Sequence, residues 1–183
     1  FCIDLTTNKT FAKLKTGMLL GELVEDAEVI GGASPNSIVV SSKYAYVTNA
    51  TNDNIAVIDY KKGRIVKHIP IKVDQRIDKL RGLVPFGIDL SKDEKYLYVA
   101  LLGFNAVAKI EIATEKTLGL IPTGWGTTRV KLSGNDADLY VTSCRGLGAG
   151  PNGGKNFTIP VQGSYIGDIQ LGTFQKIENP SQQ

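Results

Sequence analysis

Few residues of this chain have the type and the spacing that catalysis or metal binding requires. His68 is the only histidine and stands between Lys67 and Ile69. A base–nucleophile pair or a multi-histidine metal site needs partners that the sequence does not supply. We therefore predict that His68 is a surface residue, and we predict no catalytic residue, no metal site and no cofactor in this segment.

An acidic stretch offers carboxylate oxygens that Ca²⁺ could bind. Glu22, Glu25, Asp26 and Glu28 lie close together in the sequence. A calcium loop places its oxygen ligands at alternating positions around a central glycine, and this stretch has neither feature. We expect a solvated acidic loop here.

Three arginines and a tryptophan are the candidate ligand-binding residues: Arg76, Arg81, Trp125 and Arg145. The guanidinium forks of the arginines match the geometry of a phosphate group. Asp74, in the same stretch as Arg76 and Arg81, could neutralise part of that charge. Trp125 could stack on a ligand or fill the space between packed sheets, and packing is the commoner role of a large aromatic residue.

A glycine-rich stretch, residues 144–154, follows Tyr140 and could bring backbone N–H groups close to a ligand. It does not join a strand to a helix, so it is not a nucleotide-binding loop of a recognised kind. We favour a structural turn or a contact with a partner.

The composition limits the classes of protein that remain. The chain has 183 residues, of which 42% are hydrophobic, and its 20 glycines disfavour a helical domain. A net charge of +3 without a basic stripe argues against nucleic-acid binding. The longest apolar run, residues 96–102, is too short to span a membrane. Cys2 and Cys144 follow no metal or redox spacing, so we expect two unpaired, partly buried thiols.

An internal repeat organises the elements that must position these side chains. The segments Tyr46-Val47-Thr48, Tyr98-Val99-Ala100 and Tyr140-Val141-Thr142 match one another. Each is preceded by one short run rich in β-branched residues, and the first two are followed by two more. Four strands per unit of roughly 40 residues is typical of β-propeller blades.

We therefore predict an all-β fold, a β-propeller arc of about three and a half four-stranded antiparallel blades. Residues 1–17 form the third and fourth strands of one unit, and complete units follow at 35–72, 85–124 and 126–178. Pro70 and Pro122 fall in the fourth strands, and proline is tolerated in a sheet only at its edge. Such an arc fits within a seven-blade ring, which this chain cannot close alone.

Loop lengths divide the predicted arc into two unlike sides. The three insertions, residues 18–34, 73–84 and 145–163, all fall on links that leave the same side of alternating strands. The links on the opposite side, residues 171–172 among them, are short. Long loops on a rigid scaffold commonly carry binding residues.

The segment from Tyr46 to Asn49, the turn from Asp59 to Arg64 and the Ile-Pro endings resemble the YVTN family of β-propeller repeats. That family is known from bacterial and archaeal surface and secreted proteins. Residues 80–87, 123–125, 150–154 and 165–167 further resemble propellers that precede an alkaline-phosphatase-like phosphoesterase domain. The resemblance implies a secreted, periplasmic or cell-surface location.

Two functions therefore remain open. The first is a non-catalytic module that presents the long loops to a protein or glycan partner. The alternative is an accessory propeller that helps a separate phosphoesterase domain to hold its substrate through Arg76, Arg81 and Arg145. The remaining blades could belong to the same protein, to a separate chain or to a second copy that completes the ring. A third interpretation, an enzyme using the central channel, lacks the paired carboxylates or histidine cluster that it would need.

Overall fold

The computed structural model describes residues 1–17, 23–24, 27–28, 32–77, 79–148, 170–178 and 180. Within them the strands are β1 (Cys2–Asp4), β2 (Lys9–Ala12), β3 (Leu23–Val24), β4 (Ala27–Glu28), β5 (Pro35–Val40), β6 (Ala45–Asn49), β7 (Asn54–Asp59), β8 (Arg64–Pro70), β9 (Pro85–Leu90), β10 (Tyr96–Leu101), β11 (Ala106–Glu111), β12 (Lys116–Pro122), β13 (Trp125–Leu132), β14 (Asp138–Gly146) and β15 (Thr173–Glu178). A short 3₁₀ helix covers Gln75–Ile77.

The strands form antiparallel sheets that follow one another along the chain. Their orders are β1-β2, β3-β4, β5-β6-β7-β8, β9-β10-β11-β12 and β13-β14-β15. In the last three sheets the strands are in chain order, as in an up-and-down meander. The predicted all-β fold, a propeller arc with four-stranded antiparallel blades, is confirmed.

Strand order explains the two prolines and the repeated tyrosines. Pro70 and Pro122 end the fourth strands β8 and β12, which are the outer edges of their sheets, where a missing N–H does not interrupt a further ladder. Tyr46 and Tyr98 lie in second strands and are each 3% exposed. Both side chains lie in the apolar layers between neighbouring sheets.

An apolar layer fills the space between each pair of neighbouring sheets. One layer joins Tyr46, Ile55 and Ile69 to Ile88 and Leu97 of the next sheet. A second layer lies between β9–β12 and β13–β15, and a third packs Leu14 against the β5–β8 sheet. The blades therefore hold together by face-to-face burial, with the closest approach between successive first strands.

Inter-strand links lie on two opposite rims of the arc. The long-loop rim carries links 50–53, 71–84, 102–105 and 123–124, and backbone bonds tie them together, as from the N–H of Ile71 to the carbonyl of Asp53 at 2.9 Å. The short-loop rim carries links 41–44, 91–95 and 133–137, where Glu94 accepts a hydrogen bond from the N–H of Ser42 at 2.7 Å. Most of the insertions 18–34 and 145–163 lies outside the described residues.

The third unit differs from its prediction. Thr173–Glu178 pairs with the second strand β14, with Ser143 opposite Thr173, so β15 is a third strand. Residues 171–172 were predicted to be a short link between a third and a fourth strand, and this is wrong, since they lead from the long insertion into β15. The long insertion interrupts the period of the repeat, and this obscured which strand follows β14.

Three smaller expectations can be compared with the structure. His68 is half-buried, with Nε2 2.7 Å from the carbonyl oxygen of Thr16, so it links two sheets and is not simply a surface residue. Cys2 and Cys144 are both unpaired, and Cys144 is exposed. Among the described residues, no helix has the length and apolar character to cross a membrane.

Candidate functional site on the long-loop rim

Each sheet begins on the long-loop rim with the same backbone turn. Ser34, Val84 and Gly126 have positive φ angles of 46°, 52° and 66° and precede or begin the first strands β5, β9 and β13. A valine in this conformation is unusual, because a β-branched side chain crowds the left-handed backbone. The repeated turn therefore defines equivalent positions in the three sheets.

The residue directly before each positive-φ residue is buried in the first two of these sheets and exposed in the third. Ala33 and Leu83 occupy the position in the first two cases and are 8% and 1% exposed, and Leu83 belongs to the apolar layer beneath it. Trp125 occupies it in the third and is 46% exposed. The sequence left stacking and packing open for Trp125, and the structure leaves almost half of its surface available to a ligand.

Arg145 and Cys144 lie beside Trp125. Trp125 is the partner of Gly146 in the β13–β14 ladder. A Cβ on Gly126 would stand 2.8 Å from Cys144 Sγ and 3.2 Å from Arg145 Cγ. Both side chains therefore pack over the glycine, and both residues are exposed.

Leu147 extends this surface with an apolar side chain that is 85% exposed. We call Trp125, Cys144, Arg145 and Leu147 the rim patch. Its aromatic, cationic and apolar groups are typical of the centre of a protein interface.

The backbone under the rim patch is held in place by the neighbouring sheet. Asn105 Oδ1 accepts a hydrogen bond from the N–H of Gly126 at 2.8 Å, and the carbonyl of Asn105 accepts one from Thr123 at 3.1 Å. Two buried hydroxyl oxygens nearby, Ser143 Oγ and Thr173 Oγ1, have no hydrogen-bond partner in the described part of the chain. The backbone beside Trp125 is therefore fixed to the β9–β12 sheet.

Arg76 lies in a different environment from the rim patch. Its Nε and Nη2 donate to the two carboxylate oxygens of Asp74 at 2.9 and 2.6 Å. This pair lowers the pKa of Asp74 to about 2. Arg76 also lines a groove of about 640 Å³ with Glu115 and Lys116 at the outer strands. The charge of Arg76 is therefore already paired, on the outer circumference of the arc.

Arg81 is exposed and directly precedes an anchored turn on the long-loop rim. The N–H groups of Gly82 and Val84 donate to the carboxylate of Asp53 at 2.7 and 2.9 Å. Arg81 therefore extends from a fixed backbone. Of the four predicted candidates, Trp125 and Arg145 are the two that lie on paired strands, with Trp125 opposite Gly146, the residue after Arg145.

Sequence reasoning missed residues that only the repeat alignment could have revealed. Cys144 and Leu147 were not chosen, and the repeat offers an equivalent only for Cys144, the buried Ala50 after the second strand of the first complete sheet. Arg129 was also missed, and its Nη1 donates to Ser37 Oγ of the β5–β8 sheet at 3.4 Å. Within the described residues, no group of three or more His, Cys, Asp or Glu side chains is arranged to hold a metal.

Comparison with known proteins supports the fold and leaves the chemistry open. No protein-family model matches the sequence, and no curated protein matches it. Among solved structures, hydrazine synthase from Kuenenia stuttgartiensis superposes with a TM-score of 0.54 at 17% identity, over 70% of this chain and 33% of that one. A luciferin-regenerating enzyme superposes with a TM-score of 0.52 at 18% identity, over 80% of this chain and 45% of that one. The chain thus spans less than half the length of either structure.

Proposed function

We propose that this chain is a non-catalytic β-propeller segment of a secreted or cell-surface protein, and that it binds a protein partner through the rim patch. The observation that carries the proposal is the exposure of Trp125 at a position where the repeat otherwise buries its side chain. Tryptophan and arginine side by side, with an exposed leucine, favour a protein surface over a glycan. A glycan that stacks on Trp125 is the competing outcome.

Trp125 is the only tryptophan of the chain, so its fluorescence reports directly on the patch. We expect soluble oligosaccharides to leave this emission unchanged. An oligosaccharide that changes this emission in a saturable way would favour the glycan outcome, provided that a separate binding assay shows no binding to Trp125→Phe.

Site-specific crosslinking tests the protein partner. A photoreactive amino acid at position 147, exposed to cell-surface proteins of the source organism, should give one defined conjugate. The conjugate should be lost in Trp125→Ala, because a central aromatic residue can supply about 2 kcal/mol or more of binding energy. The matched control places the same group at position 118, an exposed leucine of the outer strand β12. Identical conjugates from both positions would contradict the proposal.

The alternative, an accessory propeller for a phosphoesterase, has weaker support. Of its three arginines, Arg76 is paired with Asp74, and Arg145 lies beside Trp125. Inorganic phosphate and a sugar phosphate are the probes for it. Protection of Arg81 and Arg145 from phenylglyoxal by these anions would favour the alternative, and unchanged modification would count against it.

A further inference from the structure

The outer strand of the β5–β8 sheet and the turn before it are rich in exposed basic residues. Lys61 and Lys62 lie in the turn, Arg64 and Lys67 lie in β8, and all four side chains are exposed. Asp59, at the end of β7, accepts a hydrogen bond from the N–H of Lys62 at 3.0 Å, and its carboxylate lies 3.9 Å from Lys62 Nζ. This segment therefore carries four cations and one carboxylate.

A second basic segment follows β2. Lys13 and Lys15 are exposed, whereas Leu14 between them is half-buried and packs against the β5–β8 sheet in the same apolar layer as Ile65. Lys13 Nζ lies 5.3 Å from the ring centroid of Phe1, a cation–π contact that leaves the lysine charged. The leucine thus anchors the segment to the sheet, and the two lysines remain at the surface.

Two contacts bring the basic segments together. A Cβ on Gly63, in the turn before β8, would lie 2.8 Å from the Cβ of Ala12, which directly precedes the second segment. At the other end, His68 Nε2 is 2.7 Å from the carbonyl oxygen of Thr16, which directly follows it. Residues 13–15 therefore lie beside β8, although the two segments are far apart in the sequence, where no basic stripe is visible. We call the six cations of the two segments the outer basic surface: Lys13, Lys15, Lys61, Lys62, Arg64 and Lys67.

The positive charge of the chain is concentrated on this surface. It holds six of the 21 basic residues, and within the described residues two of the 18 acidic ones pair with it, Asp59 and Glu115, the latter through Lys67. The surface thus has four more basic than acidic residues, whereas the rest of the chain has one more acidic than basic residue. Asp4 and Lys9, opposite each other in the β1-β2 ladder, add no net charge. Charge of one sign gathered on one surface attracts a polymer of the opposite sign.

We propose that the outer basic surface binds an acidic polysaccharide, an extended chain of sugars that carry single carboxylate groups. Five of the six cations are lysines, whose ammonium groups act as point charges, so they suit anionic groups spaced along a polymer. The phosphates of a nucleic acid are matched better by the guanidinium fork of arginine, and Arg64 is the one arginine of this surface. The inference is independent of the rim patch, which lies at a different sheet.

Labelled oligogalacturonate, an unbranched chain of carboxylated sugars, is the probe. Its fluorescence anisotropy should rise in a saturable way when the full chain is added at about 50 mM salt, and binding should weaken roughly tenfold or more at about 200 mM salt, because salt screens the charges. The emission of Trp125 should not change, which separates this surface from the rim patch. Absence of binding at the lower salt concentration, or equal binding of uncharged dextran, would overturn the proposal.

Charge reversal locates the site. Lys13→Glu combined with Lys61→Glu should weaken binding about tenfold or more, because like charges then face the polymer, and the neutralising pair Lys13→Gln with Lys61→Gln should weaken it less. The matched control is Lys79→Glu with Lys92→Glu, at two exposed lysines outside this surface, which changes the net charge equally and should keep binding within about twofold. Thermal unfolding checks that each variant folds. Equal losses in the two charge-reversed pairs would show that binding follows net charge alone and would overturn the proposal.

Duplex DNA of equal total charge tests the competing polyanion. It should bind no more tightly than oligogalacturonate at the same salt concentration, because the surface offers one guanidinium group for the phosphates. Tighter binding of the duplex, lost when Lys13 and Lys61 are both replaced by glutamate, would assign the surface to a nucleic acid and overturn the choice of a polysaccharide.

Discussion

At the scale of single residues, the polar side chains of the segment from Tyr46 to Asn49 connect one sheet to both of its neighbours. Thr48 Oγ1 donates to the carbonyl oxygen of Phe86 at 2.6 Å in the next sheet. Asn49 Nδ2 donates to the carbonyl oxygen of Thr16, which follows the preceding β1-β2 sheet, at 2.9 Å. These residues are buried, so the segment that carries the family resemblance stabilises the arc and does not itself form a binding surface.

Burial also makes Tyr98 sensitive to alkaline pH. Desolvation, followed by the nearby charge of Asp136, raises its pKa from 10.0 to about 12. Between these pH values the phenol ionises in the unfolded chain and remains neutral in the folded one, so the free energy of unfolding falls as pH rises.

We therefore expect Tyr98→Phe to flatten the loss of stability between pH 10 and about 12. Urea unfolding across this range measures the slope in both proteins. Some slope should persist in the variant, because burial also raises the pKa of Tyr46. Identical slopes in the two proteins would refute the assignment.

The Asp74–Arg76 pair can be tested through the reactivity of its arginine. Asp74→Asn should speed phenylglyoxal modification of Arg76 only about two- to fivefold, since water and salt screen an exposed ion pair. Mass spectrometry measures the rate at each arginine. Arg129, in a different sheet, serves as the internal control, and an equal rise there would show a general effect on the fold.

At the scale of the elements, the turns between second and third strands fasten each sheet to the next. Asp53 and Asn105 both adopt positive φ, at 47° and 56°. Asp53 accepts hydrogen bonds from Gly82 and Val84, and Asn105 accepts one from Gly126. Aspartate and asparagine tolerate this backbone conformation, and their side chains remain available as acceptors. Each turn therefore holds its sheet to the start of the next one through a side-chain oxygen.

Asp53→Ala should lower the free energy of unfolding by about 1 to 2 kcal/mol, because the backbone N–H groups of Gly82 and Val84 lose the acceptor of two part-buried hydrogen bonds. Asp53→Asn should cost about half as much, since it keeps one oxygen acceptor and the tolerance for positive φ. Chemical denaturation measures both changes. Asp59→Ala is the matched control, because Asp59 bonds to Lys62 within its own turn, and an equal loss there would contradict a connector role for Asp53.

At the scale of the whole molecule, stability depends on close approach between successive first strands. Gly87 of β9 faces the backbone of β13, and a Cβ there would lie 2.8 Å from Arg129 Cα. A larger residue at this point must push the two sheets apart, so the packing distance between β9 and β13 is set by a residue without a side chain.

Gly87→Ala should therefore reduce the free energy of unfolding by about 1 to 3 kcal/mol, as overpacking of a well-filled interior does. Gly134→Ala is the control, since nothing lies within 4 Å of its added Cβ, and it should stay within about 0.5 kcal/mol of the original chain. Thermal and urea unfolding compare the pair. A neutral Gly87→Ala would show that the sheets are not in direct backbone contact.

Much of the fold was predictable because its signals are local. Runs of β-branched residues between polar turns located the strands, and Pro70 and Pro122 identified the outer edges, since proline cannot continue a ladder. The third unit was harder, because its long insertion interrupts the repeat between the second and the third strand. The four candidate residues were chosen by side-chain chemistry, which indicated that Asp74 could neutralise part of the charge but not that its partner is Arg76.

The sequence alone therefore determined the repeat, the strand order within the two four-stranded sheets and the rim that carries the long loops, because strand alternation and turn chemistry operate over a few residues. Only the tertiary structure decided that Trp125 is exposed beside Arg145 while Leu83 is buried, and that Ile38 is exposed while Ile88 is buried. Equivalent positions in a repeat have the same local environment, and their exposure differs because it depends on the neighbouring sheet.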